Sequence, residues 1–192
     1  MPARFETHEV TNQSPPFEDV NLFTTDVALR EAVSREGGDA GQTDLAAFGS
    51  ICGSARAIAL ARKANRYTPE LETFDAKGNR RDVVEFHPAY HELMSISFAE
   101  GLHCRTWEHL AEQGRAPEPG ANVIRAAGCY MEAQMEPGHC CPITMTHAAV
   151  PTLMLEPSLA KTWLPLILSR RYDPSFRPAS EKMSVTIGPM LK

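Results

Sequence analysis

The chain lacks most of the features that announce a function class. No apolar run is long, uncharged and proline-free enough to cross a bilayer, and the start, MPARFETHEV, has no apolar segment of the kind that directs export. A cytoplasmic location is the expectation that follows. Basic residues are in deficit, with 19 Lys and Arg against 24 Asp and Glu and a net charge of −5, and Arg80-Arg81 and Arg170-Arg171 are no more than dipeptides. That balance disfavours a nucleic-acid surface, because phosphate affinity comes from clustered cations. The five cysteines, Cys52, Cys104, Cys129, Cys140 and Cys141, are odd in number and irregular in spacing, which argues against a disulfide framework and for reduced thiols. There is no Gly-x-Ser-x-Gly elbow and no dinucleotide glycine pattern, and GSICGSAR lacks the Gly-Lys-Ser/Thr ending of a phosphate loop.

What is present is a 192-residue chain, 43% hydrophobic, with the length of one ordinary domain. Residues 1–23 carry Pro2, Pro15 and Pro16 and little periodicity, so they read as an extended arm anchored by Asn21-Leu22-Phe23. Thr25 or Asp26 caps a first helix, with Ala28, Leu29, Ala32 and Val33 on one face and Gly37-Gly38 at its end. Asp44 to Tyr67 reads as one helix in which Gly49 and Gly53 permit a close helix crossing. Leu71 to Phe86 reads as two short strands around Lys77-Gly78-Asn79. Pro88 then opens a helix through about Ala99, a second amphipathic segment carries Leu102, Trp107 and Leu110, and Asn122 to Glu136 forms a helix that clusters Val123, Ala126, Ala127, Tyr130, Met131 and Gln134. The fold class is mainly α with a small β-hairpin. Residues 24–169 form the helical domain, and residues 170–192 a connection running into a strand at Met183 to Ile187 that lacks a partner.

The stretch from Cys140 to Ser169 is apolar on nearly every side and is interrupted at Pro142, Pro151, Pro157 and Pro165. A helix apolar all round is buried against others. Thr144, Met145 and Thr146 follow Pro142 and are expected at a helix start, where free N–H groups suit an anion or the polar edge of a cofactor. They are therefore the candidate wall of a ligand cavity. Ile143, Met145, Leu153, Met154, Trp163 and Leu166 are candidates for an apolar face that a further domain covers.

Groups with catalytic or metal-binding character are present but not assembled. His87 and His91 are four apart, with His103, Cys104 and His109 nearby, yet Pro88 puts His87 at the helix start and no acidic ligand recurs at helical spacing. An N-cap histidine and a packing histidine are expected, with no metal. His139 beside Cys140-Cys141 has no orienting third group, and adjacent residues rarely face one substrate, so no catalytic residue is assigned.

The order Pro142-Ile143-Thr144-Met145-Thr146, then Trp163, Pro165, Leu166, Ser169, Tyr172 and Asp173, resembles the amino-terminal domain of the AidB-type branch of the acyl-CoA dehydrogenase flavoproteins, the branch named for the adaptive response to DNA alkylation. Asn21-Leu22-Phe23, Pro69-Glu70-Leu71, Asp75-Ala76 with Gly78, and Phe86-His87-Pro88-Ala89-Tyr90-His91 are collinear with it. The resemblance implies a helical domain that forms one wall of a cavity for FAD and an acyl chain, with a β-domain and a second helical domain completing it. Membership also implies oxidoreductase chemistry on CH–CH donors and homo-oligomers, with DNA bound through a basic carboxy-terminal domain. In the family the strand resembling Val185 to Gly188 runs into Met-Thr-Glu and Gly-Ser-Asp; here it reads Pro189-Met190-Leu191-Lys192, so Met190 is at most a vestige of the cofactor site. An amino-terminal fragment, inactive and without FAD on its own, is the expectation. The alternative is a free-standing helical interaction or oligomerisation module with no cofactor.

Overall fold

The computed structural model describes residue 5 and residues 7–37, 39–112 and 114–188, and these described residues form seven α-helices, two short 3₁₀ helices and one hairpin. Helix α1 spans Val27–Gly37, and Asp26 caps it by accepting the Leu29 N–H at 2.9 Å. Of its expected face only Val33 is buried, and Gly38 lies outside the described residues.

The expected single helix over residues 44–67 is two. Helices α2 (Gln42–Cys52) and α3 (Ala55–Arg66) meet at a 60° bend, where Ser54 caps α3 by accepting the Ala57 N–H at 3.2 Å. The glycines also serve a different neighbour from the one expected. The Val20 and Leu22 N–H groups donate to the carbonyls of Gly53 and Gly49 at 3.3 and 3.1 Å, so the closely approaching backbone is the amino-terminal arm and not a second helix. A Cβ on Gly49 would lie 2.7 Å from the Phe23 nitrogen, and one on Gly53 would overlap the Val20 carbonyl oxygen. Asn21 fastens the same segment, its Nδ2 donating to the Ala46 carbonyl at 2.8 Å while its Oδ1 accepts the Phe23 and Thr24 N–H groups at 3.0 Å. Leu22 and Phe23 thereby enter the core, the anchor read from the sequence.

Strands β1 (Glu70–Phe74) and β2 (Arg80–Glu85) pair antiparallel, with Leu71 opposite Val84 and Glu72 opposite Val83. The register shifts between Glu72 and Phe74, where Asp82 takes a left-handed φ of 51°, the mark of a bulge that bends β2. Helix α4 (Pro88–Glu100) follows, with His87 as its N-cap accepting the Ala89 N–H at 3.0 Å. Its buried face is Ala89, Leu93, Met94, Ser97 and Phe98. In the segment that follows, Leu102 lies in a turn and Trp107 and Leu110 in a 3₁₀ helix, Arg105–Ala111, held by buried Arg105 against Asp44 and Glu118.

Helix α5 (Ala121–Met135) buries Ile124, Ala127, Gly128, Met131, Glu132 and Met135, a stripe rotated from the expected one, which leaves Ala126 and Tyr130 exposed. The rotation puts Glu132 inside, a placement that hydrophobic spacing alone disfavours. Helices α6 (Cys140–Leu153) and α7 (Pro157–Ile167) close the chain of helices. Only Ile143, Thr146 and Val150 of α6 and Ile167 of α7 are buried, so this pair is not enclosed as its composition suggested. The core runs through α1 to α6, with Phe48, Leu93, Phe98, Met131 and Ile143 at its centre.

Candidate functional site

Beyond α7 the chain turns back over its own helices as a strap. Tyr172 hydrogen bonds His91 Nδ1 at 2.9 Å and meets Phe98 edge-on, and the Ser169 carbonyl lies 3.0 Å from His103 Nε2. Asp173 then closes the loop. Its carboxylate accepts from the Ser175 hydroxyl at 2.6 Å and from the Ser175 and Met183 N–H groups at 2.9 Å, and these bonds hold its pKa down at about 2. From there Val185 N–H donates to the Leu166 carbonyl at 3.3 Å and Ile187 N–H donates to Thr146 Oγ1 at 2.9 Å. Alternate residues of 185–187 thus face α6 and α7. Among the described residues the segment Met183 to Ile187, expected as a strand, pairs with no strand, and the partners of its Val185 and Ile187 N–H groups are helical groups.

The strap separates two open cavities. One, of about 390 Å³, is lined by Leu153, Trp163 and residues 185–188. The other, of about 620 Å³, lies between β2, Tyr90, His91, Met94 and Phe98 on one side and Tyr172, Phe176 and Ser184 to Thr186 on the other. Beside the smaller cavity the α6–α7 corner exposes Met154, Leu155 and Leu159, with Leu155 84% exposed. Of the six residues expected on an uncovered apolar face, Ile143 is fully buried, since it shares the inward stripe of Thr146 and Val150. Met154 is exposed, and Met145, Leu153, Trp163 and Leu166 are half-buried.

Thr144, Met145 and Thr146 do not sit at a helix start. Helix α6 begins at Cys140, so their N–H groups fall past its first turn, and the expected anion-binding end is elsewhere. Thr146 is buried and its hydroxyl donates to the Pro142 carbonyl at 2.7 Å while accepting the Ile187 N–H, which makes it the tether of the strap. Thr144 is exposed, and Met190 lies outside the described residues. Thr146→Val keeps the shape and removes the acceptor. We expect the Ile187 amide to lose its protection in hydrogen exchange while global stability falls by about 1 kcal/mol.

The histidines and cysteines have other employment. His87 caps α4 and stacks on Tyr67, His91 holds Tyr172, and His109 Nδ1 lies 3.1 Å from the Thr106 carbonyl. Burial lowers His103 to about 4. Burial, followed by the Glu132 charge, pushes the Cys140 thiol up to about 12, so it is no thiolate nucleophile.

One buried cluster escaped the sequence reading. His139 is fully buried, with Nδ1 2.7 Å from Glu136 Oε2 and Nε2 2.8 Å from Ser97 Oγ and 3.1 Å from Glu132 Oε1. Ser, His and Glu stand here in the order of a hydrolytic triad, but Ser97, His139 and Glu132 are all 0% exposed, so no substrate reaches them. The legible signal was Glu132, Glu136 and His139 at i, i+4 and i+7 within an apolar stretch.

A family model described as the adaptive response protein AidB N-terminal domain matches residues 12–174. The putative acyl-CoA dehydrogenase AidB of Escherichia coli (strain K12) is 42% identical over 185 residues, covering 96% of this chain and 33% of that protein. This chain thus spans about a third of the curated relative. Among solved structures, Caenorhabditis elegans ACDH-11 in complex with C11-CoA gives a TM-score of 0.71 at 22% identity, covering 97% of this chain and 31% of that one. Bd2924 in its apo form gives 0.67 at 21% identity, over 83% of this chain and 31% of that one. These two likenesses establish the fold.

Proposed function

The chain belongs to the AidB branch of the acyl-CoA dehydrogenases, as an amino-terminal domain, and from that premise we propose that the α6–α7 face and its strap form one wall of a flavin and acyl cavity. The observation that carries this reading is the strap itself. Ile187 is tethered to Thr146 beside an open apolar cavity, and Met154, Leu155 and Leu159 continue the apolar surface past it. Contiguous apolar surface of this kind marks a face that something else covers.

Acyl-CoA dehydrogenases imply FAD in the full-length family. The lining here fits only part of that cofactor: Leu153, Trp163, Val185 and Ile187 suit a flat ring or an acyl chain, while none of the residues lining this cavity is a cation that could meet a diphosphate. FAD bound in the whole fold would supply the hydride acceptor. This chain's own part would be to exclude water with Trp163 and Leu153 and to fix the strap with Thr146. Proton abstraction next to the thioester would fall to groups outside this chain, as would any contact with DNA.

We therefore expect the purified chain to be colourless, to give no acyl-CoA-dependent dye reduction, and to bind a hydrophobic dye and self-associate at micromolar concentration. Leu155→Lys with Leu159→Lys should weaken both dye binding and association and leave the helical dichroism unchanged. A yellow preparation with stoichiometric FAD would contradict the reading. A monodisperse monomer that ignores the dye would favour a self-sufficient module.

A further inference from the structure

The cluster around His139 joins three helices where nothing in the cavity reading requires it. Ser97 comes from α4, Glu132 from α5, Glu136 from the residue after α5, and His139 caps the start of α6. Glu136 is itself held from four sides: it accepts from Gly138 N–H at 2.7 Å, His139 N–H at 2.9 Å, the His139 ring at 2.7 Å and Asn65 of α3 at 3.1 Å. Glu132 is the opposite case, fully buried with neither oxygen in a well-formed hydrogen bond. Its neighbours are the His139 ring at 3.1 Å and the weakly donating Cys140 thiol. A carboxylate removed from water with no strong donor is costly unless a cation stands beside it.

We propose that His139 is a proton-operated pin, an imidazolium clamped between the Glu132 and Glu136 carboxylates that locks α6, and with it the Thr146–Ile187 tether, to α4 and α5. Deprotonation leaves two carboxylates facing a neutral ring and releases the start of α6.

The other titratable groups around the ring do not substitute for it. Cys140 on α6, Cys129 on α5 and Cys52 on α2 are all pushed up, chiefly by burial, and so stay uncharged thiols. Tyr90 on α4 is raised too, by burial and then by the Glu136 charge. Burial works against charge on His139, but the Glu132 carboxylate 3.1 Å away, then the Glu136 carboxylate, overcome it and raise the ring above its ordinary 6.5. Burial likewise opposes charge on Glu136, yet the His139 ring and the two N–H donors hold it below 4.5. The signs follow. Stability from the raised His139 is complete below pH 6.5 and is lost as pH rises through the folded value; that from Glu136 is complete above pH 4.5 and is lost on acidification through its folded value. His103 and His147, lowered to about 4, are neutral throughout the alkaline limb.

The test is made on the full chain. Nitrogen-15 spectra of the histidine rings through a pH series should show His139 titrating above its ordinary 6.5, and at pH 6.5 mostly protonated at both nitrogens. The melting temperature should fall by several degrees as pH rises above 6.5 through the ring's titration, with amide protection over 143–150, corrected for intrinsic rate, falling about tenfold. His139→Gln should flatten this alkaline limb. Should that variant fail to fold, Ser97→Ala serves instead, since it spares both carboxylates and should keep the doubly protonated signature. A His139 ring mostly neutral at pH 6.5 in the unchanged protein or in Ser97→Ala, or an alkaline limb that persists unchanged in His139→Gln, would overturn the proposal.

Discussion

His139→Leu should cost the fold about 3–5 kcal/mol, because it strands two buried carboxylates without their shared cation. For a chain of this size that corresponds to a melting temperature lower by about 6–20 °C. The loss comes from the orphaned charges and not from volume, since leucine and histidine are of similar bulk. Glu132→Leu added to His139→Leu should therefore recover part of it, because Glu132 keeps only the weak Cys140 thiol while Glu136 keeps Asn65 and two backbone N–H groups. Urea unfolding of the single and double variants measures both values. A double variant less stable than the single would show that Glu132 has a strong partner other than His139.

Gly53→Val is the second large effect, expected at about 3 kcal/mol or more. Gly53 has an ordinary φ of −85°, so backbone strain is not the issue. The cost is steric: a side chain there occupies the position of the Val20 carbonyl oxygen and presses on Leu22, lifting the arm from the groove in which Leu22 and Phe23 complete the core. Gly78→Ala is the control, because Gly78 has a left-handed φ of 81° but open space around it and should lose only about 1–2 kcal/mol. Thermal unfolding of the two variants separates crowding from strain. A Gly53→Val protein as stable as Gly78→Ala would mean that the arm does not contribute to the core.

Local signals were read correctly where one residue type decides the backbone. Lys77-Gly78-Asn79 gave the hairpin, and Pro88 gave the start of α4 with His87 as its cap. The family resemblance, resting on collinear short motifs, gave the fold class and the relatives. Long-range placements were misread. Gly49 and Gly53 signal close approach but not its partner, and the partner proved to be a segment about thirty residues earlier. Thr146 looked like a helix-start residue because Pro142 is a strong start signal, yet Pro142 also fits the first turn of a helix beginning at Cys140. Glu132 is absent from the face read for this helix, and a carboxylate on an apolar stripe is unfavourable without a partner. That partner, His139, lies beyond the proline and glycine that end the helix, where helical spacing no longer applies.

The measurement that bears most directly on the proposed function is the flavin content of a chimera. This chain replaces the aligned third of the Escherichia coli relative, to which it is 42% identical. If the α6–α7 face and strap are a cavity wall, the chimera purifies yellow with stoichiometric FAD, and Trp163→Lys with Ile187→Lys in the grafted part abolishes the flavin absorbance without unfolding the protein. A folded chimera that is colourless, or one that keeps its flavin unchanged with both lysines in place, would contradict it.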